Sequence, residues 1–289
     1  MKGVILAAGE GARIKGVTYG AFPKELLPIG NVPTIRFSIE SLKLVGINDI
    51  LVVITAQGKN NIIQGLQSGR KFGVNLCYVV QEKNEGESSG IGKAILSVRN
   101  WIGDEDFLVA CGDTILCDFS SENPFNCLTP ALKIHTLNDP LATLVLQPTN
   151  FEPMRFGVAK FRKLQHEGNI LYGEVESLVE KPSVEVAKAY MCNGYNYVVA
   201  GYYVLKPRIF SYIEKTKPGA KNEVQISDSI VLAIGDEEKV FGVVHGTAHG
   251  GKVFPCEYWD VGIPEAYKEA NRRLIEINVD KKLARVHER

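Results

Sequence analysis

The residues of this chain best suited to chemistry stand in the segment Gly9-Glu-Gly-Ala-Arg-Ile-Lys-Gly-Val-Thr-Tyr-Gly-Ala-Phe-Pro-Lys24. Glycines at 9 and 11, directly after an apolar run, let the backbone turn sharply and aim successive N–H groups into one concavity. Such a nest binds phosphate oxygens. Arg13 adds a planar fork that matches a phosphate, and Lys24 adds a mobile point charge. A Gly-x-Gly by itself is as readily a plain turn with two solvated cations. Two other phosphate-binding patterns do not fit. A dinucleotide-binding turn wants a third small residue where Ile14 stands, and no Gly-Lys-Ser/Thr of the Walker type is present. Gly16, Gly20 and Pro23 then predict a long loop in place of a helix.

Elements able to position these groups can be read from the apolar periodicity. Val4–Ala7 is a short continuous apolar run, as expected of a strand buried on both faces. A helix is predicted after Pro33, with Ile35, Ile39 and Leu42 on one face. Strands follow at Ile50–Thr55, Leu76–Val80 and Phe107–Cys111, alternating with helices at Asn60–Leu66 and Ile91–Trp101. That alternation implies right-handed crossovers and a mostly parallel sheet, with ligands at the carboxyl ends of strands, where Gly9, Gln81 and Asp113 fall. The second half is less regular. Ala142–Gln147, Val158–Phe161, Ser177–Val179, Val198–Leu205 and Val240–Val244 read as strands; Val184–Tyr190, Arg208–Glu214 and Gln225–Ile234 read as helices. A last helix begins near Pro264 and carries Tyr267, Ala270, Leu274 and Ile277 at helical spacing.

Composition narrows the class. The 289 residues carry 33 Lys plus Arg against 33 Asp plus Glu, so no net field draws in nucleic acid or an anionic membrane. A few local cations can still grip a phosphorylated small molecule. The six cysteines form no Cys-x-x-Cys pair, and Cys77 and Cys111 lie in apolar runs. Buried free thiols of a reducing, cytoplasmic compartment are the expectation. The opening MKGVILAAG is too short for a signal sequence, and no stretch reaches the roughly 20 apolar residues of a membrane span.

Gly9-x-Gly11-x-Arg13 with Pro23-Lys24-x-Leu26-Leu27-Pro28 resembles the signature of the sugar-1-phosphate nucleotidylyltransferases, the uridylyl- and thymidylyltransferases acting on glucose 1-phosphate. Ala12 and Gly16 stand where that pattern has Thr and Pro. The resemblance implies a Rossmann-like three-layer α/β nucleotidyltransferase with a mostly parallel central sheet and a smaller sugar-binding lobe. It would be one domain over 1–289: a nucleotide-binding lobe to 130, a sugar-binding lobe with the second metal Asp over 131–262, and a C-terminal helix over 263–289.

Residue by residue, the resemblance implies that Ala8, Gly9, Gly11 and Arg13 hold the triphosphate. Gln81 and Gly86 would read the base, the Gln amide matching the imide edge of uracil or thymine. Gly112-Asp113 and Trp259-Asp260-x-Gly262 resemble the two metal-binding aspartates, and two carboxylates suit Mg²⁺, a hard ion that keeps positions free for phosphate and water. Glu180-Lys181-Pro182 resembles the family's Glu-Lys-Pro: Lys181 would neutralise the sugar phosphate, Glu180 would accept from sugar hydroxyls, and Pro182 would hold Lys181 extended. Gly157 and Gly201 match glycines where backbone approaches the sugar, and Glu223-Val-Gln-Ile-Ser-Asp228 matches a further run. Thr114 stands where thymidylyltransferases carry Asn. The implied substrates are UTP or dTTP and a hexose 1-phosphate, glucose 1-phosphate first. By the same resemblance Arg13, Lys24 and Lys181 would be the catalytic cations and pyrophosphate would be released. A homo-oligomer is expected. The alternative is a sensor that binds nucleotides or sugar nucleotides without turnover, admitted by Ala12, Gly16 and Thr114.

Overall fold

A computed structural model describes residues 1–56, 59–82, 86–150, 153, 155–249, 252–277 and 283. Positions 83–85 of the expected base-reading segment, and the charged tail after Ile277 apart from Leu283, lie outside the described residues.

The sheet strands are β1 (Lys2–Leu6), β2 (Asp49–Thr55), β3 (Asn75–Gln81), β4 (Phe107–Cys111), β5 (Ala142–Thr149), β6 (Gly157–Glu167), β7 (Ile170–Glu180), β8 (Asn196–Leu205) and β9 (Val240–Val244). They form one nine-stranded sheet in the order β3-β2-β1-β4-β8-β5-β9-β7-β6. The pairings make seven of the nine run one way, with β7 and β8 reversed. The sheet is thus mixed but mostly parallel, and one sheet carries elements from both halves of the chain.

Alternation across β1 explains the layers. Val4 and Leu6 face a core with Ile95, Val98, Phe210 and Ile230, while Ile5 and Ala7 face Ile35, Ile39, Leu42 and Ile62. A third, smaller core gathers Ile14, Leu27, Phe37, Ile115, Trp259, Ala270, Leu274 and Leu283. It packs the long glycine loop, the strand pair Thr114–Cys117 with Glu257–Asp260, and the last helix, Pro264–Glu276, into one body.

Local departures from the sequence reading have visible causes. The predicted helix Ile91–Trp101 splits into Ile91–Leu96 and Arg99–Ile102. Ser97 turns its Oγ back to the Ala94 carbonyl at 2.7 Å, a local bond that competes with continued helix. Ser177–Val179 is only the end of the eleven-residue β7, which pairs with β6 through two register shifts near Val175. Helix Thr129–Asn138 has no counterpart among the elements read from apolar periodicity. The glycine loop is not wholly irregular, since Ala12–Ile14 makes a 3-10 turn and Lys15–Thr18 one helical turn. Cys77 is exposed on the edge strand β3 and not buried; all six cysteines are free thiols.

The stretch 86–92 crosses against 222–224. Ser89 N donates to Asn222 O, Val224 N to Ser89 O and Gly92 N to Val224 O. Gly90, at φ +104°, has no room for a side chain, because a Cβ there would lie 2.6 Å from Val224 O. Gly86 is also left-handed but has open space around it. Gly90→Ala is therefore expected to cost about 2–4 kcal/mol from strain plus clash. Gly86→Ala should cost about 1–2 kcal/mol from backbone conformation alone. Denaturant unfolding of the two variants checks the contrast, and equal losses would mean that the crossing does not constrain the fold.

Candidate active site

Asp113 follows β4 and Asp260 ends the strand Glu257–Asp260, which pairs antiparallel with Thr114–Cys117 so that Asp260 lies opposite Thr114. Val261 N donates to Asp113 O at 2.8 Å, closing the ladder. Two carboxylates 147 positions apart are thus neighbours by backbone pairing. A Cβ added at Gly262 would stand 2.9 Å from Asp260 Oδ1, 3.2 Å from Asp113 Oδ2 and 3.3 Å from Arg13 Nη2. Both acids and the arginine face one point, and only glycine leaves it clear.

Each acid has its cation. Lys24 donates to Asp113 Oδ2, and Arg13 Nη2 lies 3.1 Å from Asp260 Oδ2. Gly262 N donates to Asp260 Oδ1 at 2.9 Å. A Cβ on Gly9 would lie 3.2 Å from Lys24 Nζ, so the absence of a side chain there makes room for the lysine. Gly11, at φ +66°, caps the 3-10 turn that carries Arg13. Ile14, the residue that broke the dinucleotide pattern, is fully buried and anchors this loop in the third core. Ala8 packs against the main core beside it.

The electrostatics separate the acids. Burial alone would lower the pKa of Lys24, but the Asp113 and Glu25 carboxylates outweigh it and hold the ammonium above the ordinary lysine value. Burial also opposes ionised Asp113, yet Lys24 and Arg13 keep its carboxyl below the usual range. Asp260 goes the other way: burial and then the charge of Asp113 push it up against Arg13 and Lys24. Repulsion of this kind is what a divalent cation relieves, and the all-oxygen donor set suits a hard one. A metal held by these two carboxylates would have its other positions open to substrate and water.

A second cluster forms where β7 ends. Glu180 pairs in register with Gly157, and Ser227 Oγ donates to Glu180 Oε2 at 2.7 Å. A Cβ on Gly157 would lie 3.0 Å from Glu180 Oε2 and 3.1 Å from Ser227 Oγ, so this glycine clears space for the carboxylate. Lys181 Nζ sits 3.4 Å from Glu180 Oε1 and 4.0 Å from Glu223 Oε2, half exposed. Its backbone is not extended, as Pro182 suggested, but left-handed at φ +47°. Lys181 N donates to Phe156 O at 3.0 Å, and this bond holds the turn. Such strain in a non-glycine residue marks a position fixed by its surroundings.

Two tyrosines, Tyr203 buried and Tyr258 half-buried, feel the charges of the two clusters. Tyr203 is pushed well up by burial and then by Cys111 and Glu180; Tyr258 is pushed up by burial and then by Asp260 and Asp113. Gly201, at φ +76°, sits within the register shift of β8, where a Cβ would lie 3.1 Å from Cys111 Sγ and 3.2 Å from Thr114 Oγ1. Tyr202 OH donates to Thr114 O at 3.0 Å, and Ser38 Oγ to Cys111 O at 3.0 Å, bracing the backbone on both sides of Asp113. Gln81 ends the edge strand β3 opposite Thr55. The carbonyl of Gly86 accepts from Asn222 Nδ2 at 3.3 Å. The ion pairs, hydrogen bond and crowding around Asp113 and Asp260 involve neither of these two. The sequence alone gives no sign of Glu25, whose burial beside Lys24 bears on the site; Gly262 stands in it only as part of the Asp260 motif and Ser227 only within the Glu223–Asp228 run, without the crowding and the hydrogen bond seen here.

The family model for nucleotidyl transferases matches residues 2–277. The low-salt glycan biosynthesis nucleotidyltransferase of Haloferax volcanii is 30% identical over 276 residues; the match takes in 96% of this chain and 66% of that protein's length. A UTP–glucose-1-phosphate uridylyltransferase of Staphylococcus haemolyticus is 31% identical over 250 residues, 79% of this chain and 80% of that protein. A crystal structure of a UDP-glucose pyrophosphorylase complexed with UDP-glucose superposes with a TM-score of 0.76 at 26% identity, covering 95% of this chain and 98% of that one.

A carboxyl whose pKa rises on folding loses stability as pH climbs through the folded value, so ionised Asp260 costs stability at neutral pH. Asp260→Asn is expected to raise Tm by about 2 °C or more at pH 7. A lowered Tm in a thermal melt would mean that the Arg13 pair outweighs the repulsion.

Proposed function

The chain belongs to the nucleotidyl transferase family, on its sugar-1-phosphate branch, and from that premise we propose that it transfers a nucleotidyl group from UTP or dTTP to a hexose 1-phosphate, glucose 1-phosphate first, with release of pyrophosphate. The observation that carries this reading is the meeting of Lys24, Arg13, Asp113 and Asp260 around the open point at Gly262. That is a site for polyphosphate and cation together. The uridylyltransferase relative and the structural neighbour holding UDP-glucose support the choice of base and sugar.

In the proposed reaction a phosphate oxygen of the sugar 1-phosphate attacks the α-phosphorus of the triphosphate. One P–O bond forms as the bond to the β-phosphate bridging oxygen breaks, and pyrophosphate leaves. The nucleophile is already an anion, so no general base is needed; the protein must offset repulsion between two anions and stabilise charge on the leaving group. Amides of the Ala8–Arg13 turn and the Arg13 guanidinium hold the triphosphate. Lys24, buried and held protonated by its acidic neighbours, stabilises the leaving pyrophosphate. Lys181 positions the attacking phosphate, while Glu180, fixed by Ser227, receives sugar hydroxyls. Mg²⁺ held by Asp113 and Asp260 would supply Lewis-acid charge stabilisation and a template for the phosphate oxygens.

On this reading residues up to about 130 form the nucleotide lobe and 131–262 the sugar lobe. The enzyme works in the cytoplasm as a homo-oligomer. No helix among the described residues is long and apolar enough to cross a membrane.

The test is pyrophosphate release from UTP, dTTP, CTP, ATP and GTP, each with several hexose 1-phosphates and Mg²⁺. Turnover with a pyrimidine triphosphate and glucose 1-phosphate is expected; tight binding without turnover would instead identify a sensor. Asp113→Asn should lower kcat by about 10³-fold or more with the fold intact, and unchanged release would remove the metal role. Lys181→Ala should raise KM for sugar phosphate about tenfold or more; an effect on the triphosphate alone would reverse the assignment of the two lysines.

A further inference from the structure

Beneath the site lies an ion pair that the reaction scheme does not use. Glu25 follows Lys24 directly and is 1% exposed. Lys59, at the start of helix Asn60–Leu66, which follows β2 in the chain, donates to Glu25 Oε2 at 2.6 Å and is itself almost wholly buried. The pair is tied into the site by close packing. A Cβ on Gly112 would lie 3.3 Å from Glu25 Cγ, so the carboxylate stem runs directly under the Gly112-Asp113 backbone. Leu26 is packed on the same helix, since a Cβ on Gly65 would lie 3.8 Å from Leu26 Cδ2. Four charges therefore alternate through the interior: Asp113, Lys24, Glu25, Lys59.

Stability does not explain this pair, because well-packed apolar residues of similar volume usually serve a core as well or better. Position does. Lys24 pairs with Asp113 while the next residue in the chain is the buried carboxylate of Glu25, and the site needs the ammonium on the Asp113 side. We propose that Lys59 is a positioning residue: by neutralising Glu25 it keeps Lys24 committed to Asp113 and the pyrophosphate position. Without Lys59, Glu25 is the nearest unpaired buried anion and draws Lys24 inward. Lys24 and Lys59 are the two cations that offset burial at Glu25. The inference rests on the role given to Lys24 above.

The deciding variant is Lys59→Gln, which retains a hydrogen-bond donor for Glu25 and removes the charge. Two readouts are taken on the full chain: kcat at saturating substrates, and affinity for inorganic pyrophosphate with Mg²⁺ by titration calorimetry, which needs no turnover. K59Q is expected to lower kcat at least tenfold and weaken pyrophosphate at least fivefold, with KM for sugar phosphate changed less than twofold. The double variant E25Q/K59Q, which removes the rival anion too, should regain at least half of each loss on a logarithmic scale. K59Q matching the wild type, as it would if Glu25 took up a proton instead, overturns the proposal; so does a double variant no better than the single. Should K59Q not fold, K59R decides: kcat and pyrophosphate affinity within threefold of wild type support neutralisation, and a tenfold loss in folded K59R overturns it. A wild type that binds pyrophosphate but releases none from any triphosphate counts against the proposed function, while the calorimetric comparison still judges Lys59.

Discussion

Two carboxylates held face to face are the constraint around which this molecule is built. Left alone, Asp113 and Asp260 would repel by an amount on the order of kcal/mol at short range, and each is largely removed from water. Backbone, not side chain, forces the meeting: the ladder between Thr114–Cys117 and Glu257–Asp260, closed by Val261 N on Asp113 O, leaves neither acid free to retreat. Lys24 and Arg13 then answer the charge, one to each acid. Gly9 and Gly262 are glycines because a methyl at either would stand among the charged groups. A site so arranged is tense by design, since the repulsion that burdens the fold is what binds a cation and phosphate oxygens.

The second cluster obeys a milder rule. Glu180 is held by one hydroxyl, from Ser227, and Lys181 reaches its place through a left-handed turn tied to Phe156. Lys181 stays half exposed, whereas Lys24 is closed in. Tyr203, buried, and Cys111 and Tyr258, half-buried, are raised by burial first and then by charges of these clusters. One cation is thus fixed and nearly dry while the other is reachable from solvent. That contrast fits the division between a leaving group, whose charge must be met in place, and an incoming anion that must first be caught.

Much of this was legible in the chain because phosphate chemistry leaves short, spaced marks. Gly9, Gly11, Arg13 and Lys24 lie within 16 positions, and the apolar runs at 4–7, 50–55 and 107–111 gave the parallel strands. What stayed hidden depends on pairing across long separations. Glu25 between a lysine and two leucines looks like a solvated acid until Lys59 and Gly112 are seen to enclose it. Gly90 carries the crowded crossing, while Gly86, singled out by its offset from Gln81, stands in open space. Pro182 narrowed Lys181 in the wrong direction because the Phe156 contact overrides the local preference. Helix Thr129–Asn138 escaped notice since only Ala131, Ile134 and His135 of its ten residues are buried, too sparse a stripe to stand out.

The last helix has a role in time as well as in space. Tyr267 OH and Asn271 Nδ2 donate to Pro28 O, and Gly30 N donates to Asn271 Oδ1, so Pro264–Glu276 clasps the segment just after Lys24 while its Ala270 and Leu274 share a core with Ile14 and Trp259. The first and last parts of the chain are thus one structural unit. A ribosome making this protein will have delivered the parallel strands long before that unit can close. Lys24 meets an acid made early, Asp113, whereas Arg13 waits for Asp260, which is made just ahead of that helix, so the nascent chain holds its first parallel strands before its second carboxylate is in place.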